Sequence, residues 1–187
     1  LSDEVKNTLL LKFERSAAEA DAIVISDYNY GVSSQELFDL ASRISKERSI
    51  PLLIDSRFRL NEFKGATTAT PNQDEVEQLL GTGFSDEECS KLREDLGLQS
   101  LLVTCGNKGM LLFEKDGSMA SLPAVGSTEP VDVTGAGDTV IAAYALGLAS
   151  GLSYREAADI ANHAGGIVVM KKGTASASMP ELLESIR

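Results

Sequence analysis

The chain alternates short, continuous apolar runs with longer segments in which apolar residues recur at helical spacing. The short runs, typical of strands buried on both faces, occupy residues 22–26, 50–54, 67–70 and 100–105. Amphipathic helices are predicted for residues 3–20, 72–80 and 85–96. Because strands alternate with helices, we expect an α/β layer fold with a mostly parallel central sheet.

Capping and turn residues add a further helix and a hairpin to this outline. Residues 33–36 (Ser-Ser-Gln-Glu) have the pattern of a capping box, and the apolar spacing continues the helix to Ile44. Two short segments at residues 109–113 and 119–122 predict a β-hairpin, because Lys115-Asp116-Gly117 separates them.

Two helices, at residues 135–151 and 153–170, are predicted to close the chain. The first is apolar around most of its circumference, so we expect it to be buried. No internal repeat, low-complexity tract or long linker interrupts the 187 residues. We therefore expect residues 1–187 to form a single α/β domain with one ordinary core.

The net charge of −11 argues against nucleic acid or an anionic membrane surface as a partner. Lys171 and Lys172 form the densest basic spot, a pattern more typical of a solvated surface pair than of a site. The one histidine, His163, excludes sites that need several histidine ligands, such as most zinc hydrolases. No apolar run approaches the roughly 18 residues that a membrane span requires.

The two cysteines, Cys89 and Cys105, occur without a Cys-x-x-Cys motif or a nearby histidine. Reduced cysteines in a cytoplasmic protein are the simple expectation. Because the first residue is Leu1 rather than methionine, we also expect the sequence to be a fragment of a longer chain.

Candidate site residues follow the predicted strands. They are Asp27, Asp55, Asn72, Gly106 and, if residues 130–133 are extended, Thr134. Ligands of open α/β sheets bind beyond the carboxyl ends of the strands. We therefore expect these residues to meet at one edge of the sheet.

Residues 135–138 (Gly-Ala-Gly-Asp) open the first of the two closing helices. Unshielded N–H groups and the helix dipole make such a start an anion site. A site that only holds phosphate should avoid a carboxylate such as Asp138, so a base beside a phosphate cradle indicates phosphoryl transfer. The alternative is a glycine-rich helix start packed on a strand, with Asp138 complementing the dipole.

Residues 132–138 (Asp-Val-Thr-Gly-Ala-Gly-Asp) resemble the C-terminal signature of the ribokinase-like, or PfkB, carbohydrate kinases. The resemblance implies a three-layer fold and ATP-dependent phosphoryl transfer to a sugar hydroxyl. It implies that Asp138 is the catalytic base and that the N–H groups of Gly135, Ala136 and Gly137 form the anion hole. These roles agree with the positioning and charge stabilisation that phosphoryl transfer requires.

Asn72 and Glu75 resemble the family's Asn-x-x-Glu motif, which acts near the magnesium-bound phosphates of ATP, largely through water. Taken alone, the same pair has the spacing of a helix capping box.

The family resemblance extends to three residues of one loop, Thr104, Gly106 and Gly109, which match a strand-end loop that touches the nucleotide. An ordinary turn leading into a hairpin is the alternative for this loop. Asn162 matches a position that lines the adenine pocket, and His163 is expected to be a surface or pocket-wall residue rather than a catalyst.

Many family members bind a monovalent cation, potassium, beside the anion hole. By position, Asp132 and the carbonyl of Thr134 match one half of that site. Carbonyls near Val168, Lys171 and Gly173 match the other half, with the lysine side chain directed into water.

Residues 26–31 and 65–72 look most like the heptose-phosphate kinases of the ADP-heptose pathway. The resemblance covers only the C-terminal part of such a kinase. The N-terminal part, with the lid sheet that forms sugar contacts and often a homodimer interface, is missing. We therefore expect the chain alone to be a poor kinase or inactive.

Three alternatives remain at this point. The first is a kinase of the same fold for a nucleoside or a hexose phosphate. The second is a non-catalytic nucleotide-binding pseudokinase, against which the intact Asp138 and Glu75 argue. The third is a dinucleotide-binding protein, but Val140 stands where the third glycine of Gly-x-Gly-x-x-Gly belongs, and the motif lies near the end of the chain.

Overall fold

The computed structural model describes residues 2–126 and 129–187. The helices are α1 (Asp3–Ala17), α2 (Gln35–Arg48), α3 (Gln73–Leu80), α4 (Asp86–Asp95), α5 (Ala136–Ala149), α6 (Tyr154–Val168) and α7 (Met179–Ile186). The strands are β1 (Ile23–Asp27), β2 (Leu52–Ser56), β3 (Thr68–Ala69), β4 (Ser100–Thr104), β5 (Met110–Glu114) and β6 (Met119–Leu122). None of the helices in these described ranges combines the length and the apolar character needed to cross a bilayer.

The six strands form one sheet in the order β1-β2-β3-β4-β5-β6. Strands β1 to β4 are parallel, and β5 and β6 add the predicted antiparallel hairpin. In the parallel part, Ile25 pairs with Ile54, and Thr68 pairs with Ser100. The predicted α/β fold with a mostly parallel sheet is confirmed, and the carboxyl ends of β1 to β4 share one edge.

Both faces of the sheet are covered, which gives three layers. Alternate residues of β2 point to opposite faces: Leu52 and Ile54 pack with helices α1 to α4, whereas Leu53 packs with α5 and α6. All three side chains are at most 1% exposed. Burial on both faces explains why the strands have continuous apolar runs rather than alternating ones.

The start of α2 differs by one residue from the expected capping box. Ser34, rather than Ser33, is the N-cap, and its hydroxyl accepts a hydrogen bond from the N–H of Leu37 at 3.2 Å. With leucine at the third helical position, no carboxylate can close the box from Glu36. Ser33 is buried instead.

The last two helices also differ from expectation. α7 was not predicted, although Pro180 in its first turn and a capping box between Ser178 and Glu181 are start signals that the sequence contains. α5 is buried on one face only: Tyr144 is fully buried, but Leu146 is 71% exposed.

Candidate functional site

The carboxyl edge of the sheet meets the N-terminus of α5. Tyr28, the first residue after β1, donates a hydrogen bond from its hydroxyl to Oδ1 of Asp138 at 2.7 Å. The two residues are 110 positions apart in the chain. The structure therefore brings the predicted anion site and the strand ends to one place.

The N-terminus of α5 leaves backbone donors free. Gly135 is the N-cap in a left-handed conformation, with φ of 77°, and no side chain caps the helix. The N–H of Ala136 donates to the carbonyl of Val133 at 3.2 Å, so this member of the expected anion hole has a protein partner. Within residues 2–126 and 129–187, the N–H groups of Gly137 and Asp138 donate to no acceptor. The helix start can therefore bind an anion through these groups.

A cavity of about 200 Å³ lies beside this helix start, and its walls are mostly apolar. Six of the residues expected to bind nucleotide or phosphate line it: Thr104, Gly106, Gly109, Ala136, Gly137 and Asn162. An apolar cleft with few polar groups at one end suits a flat base and a phosphate chain. The structure thus places the predicted β4 loop and α6 residue on the same cavity as the α5 turn.

Asn162 is 5% exposed in the wall of this cavity. Its side-chain Nδ2 donates to the carbonyl of Pro123 at 2.7 Å. That hydrogen bond fixes which way the amide faces and ties α6 to the segment after β6. His163, its neighbour, contacts α7 instead: its Nδ1 lies 2.7 Å from Oγ of Ser185.

Asn72 and Glu75 form a complete capping box at the start of α3. The N–H of Glu75 donates to Oδ1 of Asn72, and the N–H of Asn72 donates to Oε2 of Glu75, both at 2.9 Å. Neither residue lines the 200 Å³ cavity, but Asn72 pairs with Thr104 beside it in a parallel bridge. The capping box is therefore formed, and it holds the Glu75 carboxylate at the carboxyl edge of the sheet.

Asp55, a candidate from its place after a predicted strand, has no counterpart in the family motifs. Burial and the negative charges of Glu75 and Asp138 raise its pKa to about 6. The pKa of Glu75 is also raised, chiefly by burial, and the positive charge of Arg57 offsets part of that increase. Asp55 is the next-to-last residue of β2, and its place directly after the predicted strand 50–54 was the available signal.

Replacing Asp55 by asparagine is expected to make the protein more stable at neutral pH. Because the pKa of Asp55 is higher in the folded protein than in the unfolded chain, folding favours the protonated carboxyl. The stability that Asp55 contributes in this way is present below about pH 4 and is lost as the pH rises through about 6. Asparagine does not ionise. In urea unfolding, the gain of Asp55→Asn over the wild type should grow between pH 4 and 6 to about 1–2 kcal/mol. A gain that does not change with pH would contradict the argument.

The two halves of the expected cation site meet. Asp132 accepts hydrogen bonds from the N–H of Thr134 at 3.0 Å and from the N–H of Gly173 at 2.9 Å. The N–H groups of Val131 and Asp132 both donate to the carbonyl of Val169. These bonds hold the start of the signature against the loop that follows α6.

The remaining residues expected at that cation site are placed differently. Val168 is buried in the last turn of α6, and its carbonyl accepts the N–H of Lys171 at 3.0 Å. The Lys171 side chain does not extend freely into water: its Nζ lies 2.7 Å from Glu181 and donates to the carbonyl of Ser176. The expectation for this side chain was wrong because Glu181 belongs to α7, which was not predicted.

Asp27 is turned away from the cavity. It is 3% exposed and accepts hydrogen bonds from the N–H of Asn29 at 3.1 Å and the hydroxyl of Ser56 at 3.0 Å. Arg59 forms an ion pair with it at 3.5 Å. These contacts give the candidate residue Asp27 a structural role at the end of β1.

A second cavity, of about 600 Å³, lies on the other side of the α5 start. Gly135 and Asp138 are part of its lining, together with mostly apolar residues of α5, α6 and α7 and the loop residues 174–177. The α5 turn therefore separates two spaces, with Gly137 facing one and Asp138 facing the other.

No group of three or more His, Cys, Asp or Glu residues in the described ranges is arranged to hold a metal ion by itself. The partly buried carboxylates Asp55 and Glu75 nevertheless have the oxygen donors that magnesium prefers. Both carboxyls have raised pKa values, so their ionised forms are disfavoured in the folded protein. A bound divalent cation would stabilise the ionised forms. These residues fit magnesium that is shared with the phosphates of a ligand.

Comparison with known proteins identifies relatives of the whole chain. The family model described as pfkB family carbohydrate kinase matches residues 1–182. The bifunctional protein HldE of Syntrophotalea carbinolica is 37% identical over 98% of this chain, and that of Histophilus somni is 40% identical over 95%. The chain spans only 39% and 38% of the length of these two relatives.

Solved structures share the fold. Ribokinase of Arabidopsis thaliana, solved with ribose and ATP, matches 100% of this chain and 60% of its own, with a TM-score of 0.79 and 22% identity. Ribokinase of Giardia lamblia matches 95% of this chain and 63% of its own, with a TM-score of 0.82 and 19% identity. Phosphofructokinase-2 of Escherichia coli, solved with potassium, matches 94% of this chain and 60% of its own, with a TM-score of 0.77 and 19% identity. The expected ribokinase-like fold is confirmed.

Proposed function

We propose, since the chain belongs to the pfkB family of carbohydrate kinases, that it transfers a phosphoryl group from ATP to a hydroxyl of a sugar or sugar phosphate. The observation that carries the proposal is the start of α5, where the N–H groups of Gly137 and Asp138, which have no acceptor in residues 2–126 and 129–187, lie beside the Asp138 carboxylate. Donors for an anion and a base for its acceptor are the two parts that this reaction needs. Family membership removes the dinucleotide-binding alternative.

In this proposal Asp138 is the base. Its carboxylate orients the acceptor hydroxyl and takes its proton as the oxygen bonds to phosphorus. The free N–H groups at the helix start, with Gly135 setting the turn, stabilise the negative charge on the transferring phosphoryl group. The positive end of the α5 dipole adds to that stabilisation.

The 200 Å³ cavity is proposed to hold the base end of ATP, against Asn162, with the phosphates extending from it toward Gly137. Thr104, Gly106 and Gly109 form the wall that faces the nucleotide. Magnesium, when bound, would supply positive charge to the ATP phosphates, with Glu75 and Asp55 as its protein-side partners.

A monovalent cation is proposed beside the α5 turn. The support is the loop closure in which Asp132 bonds the N–H groups of Thr134 and Gly173. These bonds hold the start of the signature next to the loop after α6, which is the arrangement that one cation with carbonyl ligands from both segments would require. Potassium suits a site of carboxylate and carbonyl oxygens near the phosphates.

A heptose phosphate is the acceptor that we favour. The support is the resemblance of residues 26–31 and 65–72 to heptose-phosphate kinases, together with relatives named bifunctional protein HldE at 37% to 40% identity. Residues 1–187 would then be one domain, the C-terminal part of a kinase. The rest of that kinase would supply the lid, most of the sugar contacts and a homodimer interface, so the chain alone is expected to be a poor catalyst.

Replacing Gly137 by alanine should affect stability and function in opposite directions. Among the described residues, no atom lies within 4 Å of the Cβ that an alanine would add, so none of them requires glycine there. Alanine is the better helix former by up to about 1 kcal/mol. Its methyl group, however, would stand where the phosphates approach. We expect urea unfolding to show equal or greater stability, and calorimetry of the full-length protein to show ATP binding weakened at least about tenfold.

Gly151→Ala is the control for ATP binding, since Gly151 lies outside the site, after α5, and no atom of the described residues lies within 4 Å of an added Cβ. Its φ of 84° means that alanine costs about 1 kcal/mol of stability there, but its ATP affinity should equal that of the wild type. ATP binding by Gly137→Ala at full strength would argue against phosphates at the α5 start.

A further inference from the structure

We infer that Tyr28 is a positioning residue for Asp138, holding one oxygen of the carboxylate so that the other faces the acceptor hydroxyl. The inference rests on the proposed function, because it needs Asp138 to act as the base. It assigns a role to a residue that the nucleotide and phosphate motifs do not include. The direct observation is the 2.7 Å hydrogen bond from the Tyr28 hydroxyl to Oδ1 of Asp138.

The turn after β1 is built so that Tyr28 points toward α5. Asp27 points to the opposite face, where Ser56 and Arg59 hold it. Successive side chains of an extended strand alternate between faces, so anchoring Asp27 inward directs Tyr28 outward. The N–H of Asn29 also donates to Asp27, and the left-handed conformation of Asn29, with φ of 60°, turns the chain away immediately afterwards. The position of Tyr28 is thus set by the fold, and not by its contact with Asp138 alone.

A second contact supports the Tyr28 ring. The guanidinium carbon of Arg57 lies 5.4 Å from the ring centroid, within cation–π distance. Arg57 follows β2, the neighbouring strand, so two adjacent strand ends together hold the phenol. The ring is 41% exposed, which leaves the site open to a substrate from the solvent side.

The chemistry of the pair suits a base that must be held in one orientation. The hydrogen bond to Asp138 and burial raise the pKa of Tyr28, so the phenol remains a neutral donor at physiological pH. A donor on Oδ1 restricts rotation of the carboxylate. In the described part of the chain, Oδ2 of Asp138 accepts no hydrogen bond, so it is the oxygen that can receive a proton.

A comparison of Tyr28→Phe, Asp138→Asn and the double variant in the full-length protein tests the inference. Phenylalanine keeps the ring and its contact with Arg57 but removes the donor. We expect Tyr28→Phe to lower kcat by about ten- to a hundredfold, the worth of a hydrogen bond to a charged group, with KM for ATP unchanged. In the Asp138→Asn background the same substitution should lower kcat no further, because Tyr28 acts only through that carboxylate.

The matched control is Tyr154→Phe, since Tyr154 is half-buried at the start of α6 and lines neither of the two cavities beside the α5 turn. It should leave kcat unchanged. A wild-type kcat for Tyr28→Phe, or an equal loss with and without Asp138, would overturn the inference while leaving Asp138 as the base. Full activity of Asp138→Asn alone would instead remove the proposed function, and this inference with it.

Discussion

Replacing Asp138 by asparagine in the full-length protein is expected to lower kcat by at least about a hundredfold, because a general base of this kind contributes that much or more. Asparagine keeps the shape of the side chain and can still accept the hydrogen bond from Tyr28, but it cannot take up a proton. KM for ATP should change little, since Asp138 does not line the cavity proposed for the nucleotide. Steady-state kinetics with saturating acceptor measures both quantities.

Asp86→Asn is the control that separates this role from the structural alternative. Asp86 is an exposed carboxylate in the first turn of α4, as Asp138 is in the first turn of α5. If Asp138 only complemented the helix dipole, the two substitutions would have the same effect, a loss of about 0.3–1 kcal/mol of stability with kcat intact. An Asp138→Asn variant with wild-type kcat would rule out the proposed base.

Replacing Gly109 by alanine is expected to have the largest effect on stability. Gly109 has φ of 94°, and an added Cβ would lie 2.0 Å from the carbonyl oxygen of Leu122 and 2.6 Å from the backbone nitrogen of Ala124. Backbone atoms cannot move aside as the end of a side chain can. We expect the free energy of unfolding to fall by about 2–4 kcal/mol and ATP binding to be lost, because the cavity wall must shift.

Gly106→Ala is the matched control in the same loop. Gly106 also has a positive φ, of 57°, but in the described part of the chain no atom lies within 4 Å of an added Cβ. Its substitution should lower the free energy of unfolding by only about 1 kcal/mol, the penalty for a left-handed alanine. Equal stability of the two variants in urea unfolding would show that the contact with Leu122 is not what requires glycine at position 109.

Much of the fold follows from local signals in the sequence. Strands such as β2 and β4 are continuous apolar runs because helices cover both faces of the sheet, and their length sets them apart from helices. The capping boxes at Asn72 and Ser85 mark the starts of α3 and α4 to the residue. α7 was missed because it is eight residues long and follows a polar loop.

The site was predictable where chemistry is concentrated in a short motif. The α5 turn and the β4 loop each contain such a motif, and the fold places both beside one cavity. Tyr28 and Asp55 were not found as partners of Asp138, because their contacts depend on the register of β1 against β2 and on where α5 begins. The ion pair of Lys171 with Glu181 was hidden for the same reason. Contacts across the chain require the tertiary structure.

The most direct test of the central claim is ADP formation by the full-length protein, measured with ATP and magnesium against a panel of sugars, sugar phosphates and nucleosides. We predict ADP release that depends on the acceptor, is strongest with a heptose phosphate and matches the phosphorylated product one to one. If release is strongest with a nucleoside or a hexose phosphate, the proposed reaction type stands and that compound, rather than a heptose phosphate, is the acceptor. Tight ATP binding without acceptor-dependent release on any member of the panel would contradict the claim that this chain transfers phosphoryl groups.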